Sequence, residues 1–199
     1  MFPLIESIKV VDGVLQNIEY HQHRFEASYF KLYKRLTDIL LENVIDIPQD
    51  YRQGLVKLRF LYNDTDCFCQ YDRYKSKPVK SLKLVYDNHI DYSLKWVDRK
   101  KLNELHKQKD QADDILIIKN QRITDTSFTN IVFYDGKNWV TPKFPLLHGT
   151  TRARLLATNK IVAEDIIVND LKSFTSFKLI NAMRDFDQAD ELPIHSIIL

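Results

Sequence analysis

Glycine is scarce in this chain, with four residues in 199. So few unrestrained positions leave little room for flexible linkers or low-complexity tracts, and none stands out. Cysteine is nearly missing too. Cys67 and Cys69 alternate in Asp66-Cys67-Phe68-Cys69-Gln70-Tyr71, which reads as a strand with both thiols on one face. They are too near in sequence for an ordinary disulfide, and this usage suits a reducing compartment. An excess of either charge is absent, since 29 basic residues face 27 acidic ones for a formal +2. That balance offers no footprint for a nucleic acid or an anionic membrane, and no basic stripe supports an RNA-binding module. No apolar run reaches the length of a membrane span, and Met1-Phe2-Pro3-Leu4-Ile5-Glu6 lacks the basic start and apolar run of a signal peptide. No repeat recurs at a fixed period. These absences together predict a soluble, cytoplasmic protein.

What is present is a large apolar and aromatic content, 44% hydrophobic with 11 Phe and 10 Tyr, enough to bury one core or two small ones. Phe2–Val11 reads as a strand, Asp12-Gly13 as a hairpin turn, and Val14–Asn17 as the start of the return. Ile18, Phe25, Tyr29, Leu32, Leu36 and Leu40 fall on one face of a helix running to about Leu41. Gly54–Tyr62, Cys67–Tyr74 and Ser81–Tyr86 read as strands, and the polar Asp87-Asn88-His89 as the boundary between domains 1–87 and 88–199. In the second half, Lys101–Lys109 reads as a short helix. Asp114–Lys119 and Arg122–Tyr134 read as strands around an Asn120-Gln121 turn. A helix is expected to open at Gly149-Thr150, with Thr150 as its cap, and run to about Asn159; Ile161–Val168, a short turn around Asp170-Leu171 and a strand over Phe177–Met183 follow. Strands and helices mix without strict βαβ alternation, which predicts an α+β fold.

Three segments carry chemistry. Lys100-Lys101-Leu102-Asn103 offers an amine; one that condenses with an aldehyde must be deprotonated, which desolvation or neighbouring cations such as Arg99 and Lys101 favour. Taken alone, three adjacent cations are more often a solvated face. Asp125-Thr126-Ser127-Phe128-Thr129-Asn130 offers a carboxylate, although Asp-Thr-Ser by itself is commonly a turn. Gly149-Thr150-Thr151-Arg152 offers the unpaired amides of a helix start plus two hydroxyls, a cradle for phosphate. His21-Gln22-His23 is discounted as a metal site, because the two rings diverge on a helix and no Cys/His cluster accompanies them.

In order and wording these segments resemble the fold-type IV pyridoxal 5′-phosphate (PLP) enzymes, the class IV aminotransferase family, and most nearly its aminodeoxychorismate lyases. The resemblance spans about residues 2–195 and implies a two-domain subunit with a shortened N-terminus, PLP as cofactor, and a homodimer. It places the PLP lysine at Lys100, one residue before an x-Leu-Asn pair, with Lys101 as runner-up. The partner of the pyridine nitrogen becomes Asp125, where relatives carry a glutamate five residues before the matching Asn130, with Thr126 beside it. Gly149, Thr150 and Thr151 become the phosphate cradle. Arg24 closes it, from a His21-Gln22-His23-Arg24-Phe25 segment similar to the family's His-x-x-Arg-Leu. Lys57 and Arg59, on one strand face, become candidates for a substrate carboxylate, with a surface-facing salt bridge as the equal alternative. Asn181 and Ala182 match a turn that approaches substrate or phosphate, while Glu6 matches a residue with a structural role. Leu105 stands where branched-chain enzymes carry a tyrosine, which argues against that activity. The implied reaction is elimination of pyruvate from aminodeoxychorismate, leaving p-aminobenzoate for folate synthesis. The alternatives are transamination of a D-amino acid or a related substrate, and a protein of this fold without catalysis.

Overall fold

The structure, a computed structural model, describes residues 1–198. Its chain divides into two compact units, 1–76 with 94–98, and 77–93 with 99–199.

The first unit is an antiparallel four-stranded sheet in the order β2-β1-β3-β4: β1 is Leu4–Val11, β2 Val14–Leu15, β3 Leu55–Tyr62 and β4 Cys67–Arg73. The Asp12-Gly13 turn has positive φ at both residues, 47° and 80°, the geometry that matches strand twist in a two-residue hairpin. One sheet face alternates Leu4, Glu6, Ile8 and Val10 on β1 with Tyr62, Phe60, Leu58 and Val56 on β3. Helix α1 (Ile18–Tyr33) covers that face. Phe25 is its anchor, with its ring centroid 4.7 Å from Tyr62 and 5.9 Å from Phe60, both edge-on.

The helix is shorter than the periodicity of Leu32, Leu36 and Leu40 predicts. Lys34 takes a left-handed φ of 57° and donates its N–H to the Phe30 carbonyl at 2.9 Å, which closes the helix. Leu36 and Leu40 are then 82% and 53% exposed, and the core position passes to Leu41, first residue of the short α2 (Leu41–Val44).

The second unit holds a mixed nine-stranded sheet. Its strands are β5 (Leu82–Tyr86), β6 (Asp114–Lys119), β7 (Arg122–Thr126), β8 (Asn130–Tyr134), β9 (Trp139–Pro142), β10 (Val162–Glu164), β11 (Ser176–Ile180), β12 (Leu192–Pro193) and β13 (Ile197–Ile198). The main path runs β10-β9-β8-β7-β6-β5-β13, and β11 pairs with the other edge of β8. β6 lies between β5 and β7 and is buried from Asp114 to Ile118, as a strand covered on both faces must be. Helices α3 (Lys100–His106) and α4 (Thr150–Ala157) belong to this unit.

Three local expectations give way here. The division falls after Ser76 and not after Asp87, because β5 pairs in parallel with β6 over its full length, while 94–98 returns to the first unit through the Ile5 N–H to Lys95 carbonyl bond. The single strand expected over Arg122–Tyr134 is a hairpin interrupted at Ser127–Thr129. Helix α4 is capped by Gly149, with Thr150 already inside it.

Phe25→Ala removes the centre of the aromatic cluster, so it is expected to destabilise the first unit by about 3–5 kcal/mol. Urea unfolding followed by tyrosine fluorescence measures this, and a loss below about 1 kcal/mol would contradict the assigned core role.

Candidate active site

The interruption in the hairpin creates the site. The Thr126 N–H donates to the Thr129 carbonyl at 2.9 Å, and the Thr126 hydroxyl oxygen accepts the N–H groups of Thr129 (3.1 Å) and Phe128 (3.3 Å). Such side-chain bonds to nearby amides turn a chain that would otherwise continue extended. Thr126, expected beside the cofactor, thus has its hydroxyl engaged within the turn. The outcome is that Asp125 and Asn130 face each other as a cross-strand pair.

Asp125 is 5% exposed and accepts hydrogen bonds from neutral donors, among them Asn130 Nδ2 to Oδ1 at 2.7 Å and the Leu147 N–H to Oδ2 at 2.9 Å. Burial pushes its pKa up to about 6, against the pull of those bonds and of the Arg152 charge. Asn130 Nδ2 also donates to the Leu147 carbonyl at 2.9 Å, so this one amide group holds both the carboxylate and the loop ahead of α4.

Gly149 then passes so close that a Cβ there would lie 1.9 Å from Asn130 Oδ1. Its φ of −68° is ordinary, so close approach alone demands glycine. Thr150 and Thr151 follow as buried residues at the head of α4, where the first backbone amides have no helical partner. Arg152 is also buried and donates from Nη2 to the Pro142 carbonyl at 2.8 Å.

Lys100 is the first residue of α3 and is exposed. The residue before it, Arg99, donates from Nη2 to the Ser127 carbonyl at 2.6 Å and lies 4.4 Å over the Phe128 ring. The head of the lysine-bearing helix is therefore tied to the turn that follows Asp125. Lys101 is placed otherwise: its Nζ is 2.9 Å from Asp87 Oδ2, and that bond raises its pKa, which holds the amine as an ammonium. Asn181 joins the same turn by donating from Nδ2 to the Phe128 carbonyl at 3.2 Å, and Ala182 follows it, half-buried. Lys100, Asp125, Asn130, Gly149, Thr150, Thr151, Asn181 and Ala182 all belong to the second unit, where Arg99 and Asn181 meet the Ser127-Phe128 turn and Asn130 meets Asp125, Leu147 and Gly149.

The remaining expected residues belong to the first unit. Arg24 sets its guanidinium edge on the fully buried Glu6, Nε to Oε1 at 2.8 Å and Nη2 to Oε2 at 2.5 Å, and His21 Nδ1 lies 2.6 Å from Oε2. Burial would raise the Glu6 pKa, but the Arg24 charge and the bonds from His21 and Arg24 outweigh it and bring the value down to about 2. His21 is pushed the other way, below its ordinary value, chiefly by burial. His23 is exposed, so the two rings do diverge. Lys57 and Arg59 share the sheet face turned away from Val56, Leu58 and Phe60, and Arg59 Nη2 bonds Asp72 Oδ2 at 2.7 Å. For Arg59 the salt bridge is present.

Sequence reasoning missed two parts of the constellation. The Arg99 tie needed the hairpin turn to be seen first. Asp114, whose Oδ1 accepts the Ser127 hydroxyl at 2.5 Å, reads in sequence only as the start of a strand.

A sequence model of the amino-transferase class IV family matches residues 3–192. An uncharacterized protein from Haemophilus influenzae is 39% identical over 185 residues, covering 92% of this chain and 98% of that protein. A crystal structure from Haemophilus somnus 129PT, provisionally assigned as a 4-amino-4-deoxychorismate lyase, is 41% identical with a TM-score of 0.88, covering 94% of this chain and 98% of that one. A hypothetical aminotransferase from Mycobacterium tuberculosis, in its PLP-bound form, shares the fold at 15% identity and a TM-score of 0.78, covering 98% of this chain and 81% of that one. The chain belongs to the class IV aminotransferase family, the fold-type IV group of PLP-dependent enzymes to which its motifs point.

Two outcomes follow. Gly149→Ala is expected to destabilise the cofactor-free protein by about 1–3 kcal/mol, because Asn130 is held by Asp125 and Leu147 and has nowhere to move. A thermal melt no lower than wild type would contradict that packing. Glu6 titrates in the fold near 2, below its ordinary 4.5, so its stabilisation is complete above 4.5 and is lost as pH falls toward 2. Wild-type urea midpoints should therefore drop between pH 5 and pH 3 by more than those of Glu6→Gln, and equal drops would contradict the ionised Glu6–Arg24 pair.

Proposed function

We propose that the protein is a PLP-dependent lyase that releases pyruvate from 4-amino-4-deoxychorismate and leaves p-aminobenzoate, a step toward folate. The observation that carries the cofactor assignment is Asp125, a buried carboxylate whose hydrogen-bond donors are neutral and whose pKa is about 6. A protonated ring nitrogen is the cation such a group suits. The rest of the donor set fits the same ligand: an exposed lysine at a tied helix start, and a helix N-terminus with two buried threonines for a phosphate dianion. When bound, PLP supplies an electron sink for the charge left on a substrate α-carbon.

In this reading Lys100 would attach the cofactor through Nζ and, once released, would take the proton from the substrate α-carbon as base and later supply one as acid to the leaving enolpyruvyl group, which becomes pyruvate. Asp125 keeps the ring nitrogen protonated, and Asn130 keeps Asp125 oriented. The amides of Thr150 and Thr151, with their hydroxyls, hold the phosphate. The family resemblance adds Arg24 for phosphate, Lys57 and Arg59 for a substrate carboxylate, Asn181 and Ala182 near the substrate, and a cytoplasmic homodimer. The lyase reading is supported by Lys100-Lys101-Leu102-Asn103, by Asn181-Ala182-Met183, and by the similarity to the Haemophilus somnus protein.

The test loads the protein with PLP and measures pyruvate released from aminodeoxychorismate beside amino transfer from D- and L-amino acids to 2-oxoglutarate. Pyruvate release that is lost in Lys100→Ala supports the lyase. Amino transfer without pyruvate release assigns an aminotransferase, and neither activity on a PLP-loaded protein assigns a fold without catalysis.

The pH dependence follows from Asp125. Its folded value of about 6 lies above the ordinary 3.8, so the buried charge costs stability that is intact below 3.8 and lost as pH rises through 6. PLP needs that charge, so its affinity is expected to hold above neutrality and to weaken as pH falls below about 6. Asp125→Asn should weaken it by about ten- to a hundred-fold above pH 6, the worth of a charge-assisted hydrogen bond, and should remove the fall in affinity below that value. Calorimetric titration with PLP across pH measures both, and a flat wild-type profile would contradict the assigned partner.

A further inference from the structure

Helix α3 is seven residues long, too short to hold its own position, and only Leu102 and Leu105 among its residues are buried. Where its first residue sits is decided by what grips its ends. At the tail, His106 Nε2 lies 3.7 Å from Asp114 Oδ1, the atom that also accepts the Ser127 hydroxyl, and the His106 ring meets Phe128 edge-on at 6.1 Å. At the head stands Arg99. Its side chain caps nothing within the helix, and its guanidinium reaches outward to three groups. Nη1 donates to the Tyr92 hydroxyl at 3.3 Å, Nη2 donates to the Ser127 carbonyl at 2.6 Å, and the plane covers Phe128 at 4.4 Å. Both ends of α3 therefore grip one turn, and that turn begins two residues after Asp125.

We propose that Arg99 is the positioning residue that fixes the Lys100 amine relative to Asp125, by locking the head of α3 to the Ser127-Phe128 turn. The proposal rests on the PLP reading above. Arg99 precedes the lysine by one residue and its anchor follows the carboxylate by two, so the tie spans the two groups with very little intervening chain. Arginine suits the task because a planar fork can bond a carbonyl and lie flat on a ring at once, whereas a lysine ammonium does one or the other. The Phe128 ring is 60% exposed and gains little from core burial, which is consistent with a part in holding Arg99. The turn is braced from its far side by Asn181 on the Phe128 carbonyl, so loss of Arg99 frees the helix and leaves the turn in place.

The test separates placement of the amine from formation of the cofactor site. Pyridoxine 5′-phosphate carries an alcohol in place of the aldehyde, so it uses the ring and phosphate contacts without reaction. PLP in addition condenses with Lys100 Nζ, a carbon–nitrogen double bond forming as the aldehyde oxygen leaves as water. In Arg99→Gln, calorimetry should give an affinity for pyridoxine phosphate within about two-fold of wild type and an affinity for PLP lower by about ten-fold or more, with a weaker visible band. Arg99→Lys should recover part of the PLP loss through its single donor, and the cofactor-free melting temperatures should agree. Wild-type affinity for both ligands in Arg99→Gln overturns the proposal. Equal losses for both ligands also overturn it, by assigning Arg99 a general structural role. If Arg99→Gln does not fold, Arg99→Lys decides by the same comparison: selective weakening of PLP supports the tie, and wild-type or equally reduced affinities overturn it. Failure of the underlying reading looks different, since wild type then binds neither ligand, or Lys100→Ala keeps the visible band.

Discussion

The side-chain amide of Asn130 is the contact on which the rest of the site depends. One nitrogen bonds both the Asp125 carboxylate and the Leu147 carbonyl, and the oxygen beside it presses on Gly149. A hairpin turn, an irregular loop and a helix start are thereby brought to one point. With Asn130 shortened or reversed, Asp125 would lose its Nδ2 bond and the Leu147 carbonyl its partner, leaving the Leu147 N–H to Asp125 Oδ2 bond to hold the loop ahead of α4. A buried polar network of this kind holds one geometry when each member is satisfied and fails at the first vacancy.

The two buried carboxylates show how surroundings set roles. Glu6 sits in the apolar face of the first sheet and is met by Arg24 and His21, so it stays charged to about pH 2 and acts as a tie between sheet and helix. Asp125 is buried as deeply, but its hydrogen-bond donors are neutral, and burial outweighs both them and the Arg152 charge, so its ionised form is costly. The first arrangement stabilises the fold. The second leaves a buried carboxylate with a raised pKa, the kind of perturbed group that functional sites use.

Much of the site was legible because it is written in short segments. Lys100-Lys101-Leu102-Asn103, Asp125 through Asn130 and Gly149-Thr150-Thr151 are each local patterns, and their order along the chain carries the family resemblance. What sequence hid was tertiary. Leu36 and Leu40 continue the helical period of α1, yet a left-handed Lys34 ends the helix before them. Arg122–Tyr134 has the apolar content of one strand, yet Thr126 turns it back on itself, and only then does the spacing from Asp125 to Asn130 become a face-to-face pair. The parallel pairing of β5 with β6, which sets the division between the units, joins residues about thirty apart, and no local pattern announces such a partner. The Lys101–Asp87 ion pair is likewise invisible in the local sequence.

The central claim is that Lys100, at the head of α3, and the Asp125 hairpin belong to one PLP site. The most direct measurement is borohydride reduction of the PLP-loaded protein followed by peptide mass mapping. The account predicts a phosphopyridoxyl mass on Lys100. A label on Lys101 or on another lysine, or no label on protein that has bound PLP, would contradict it.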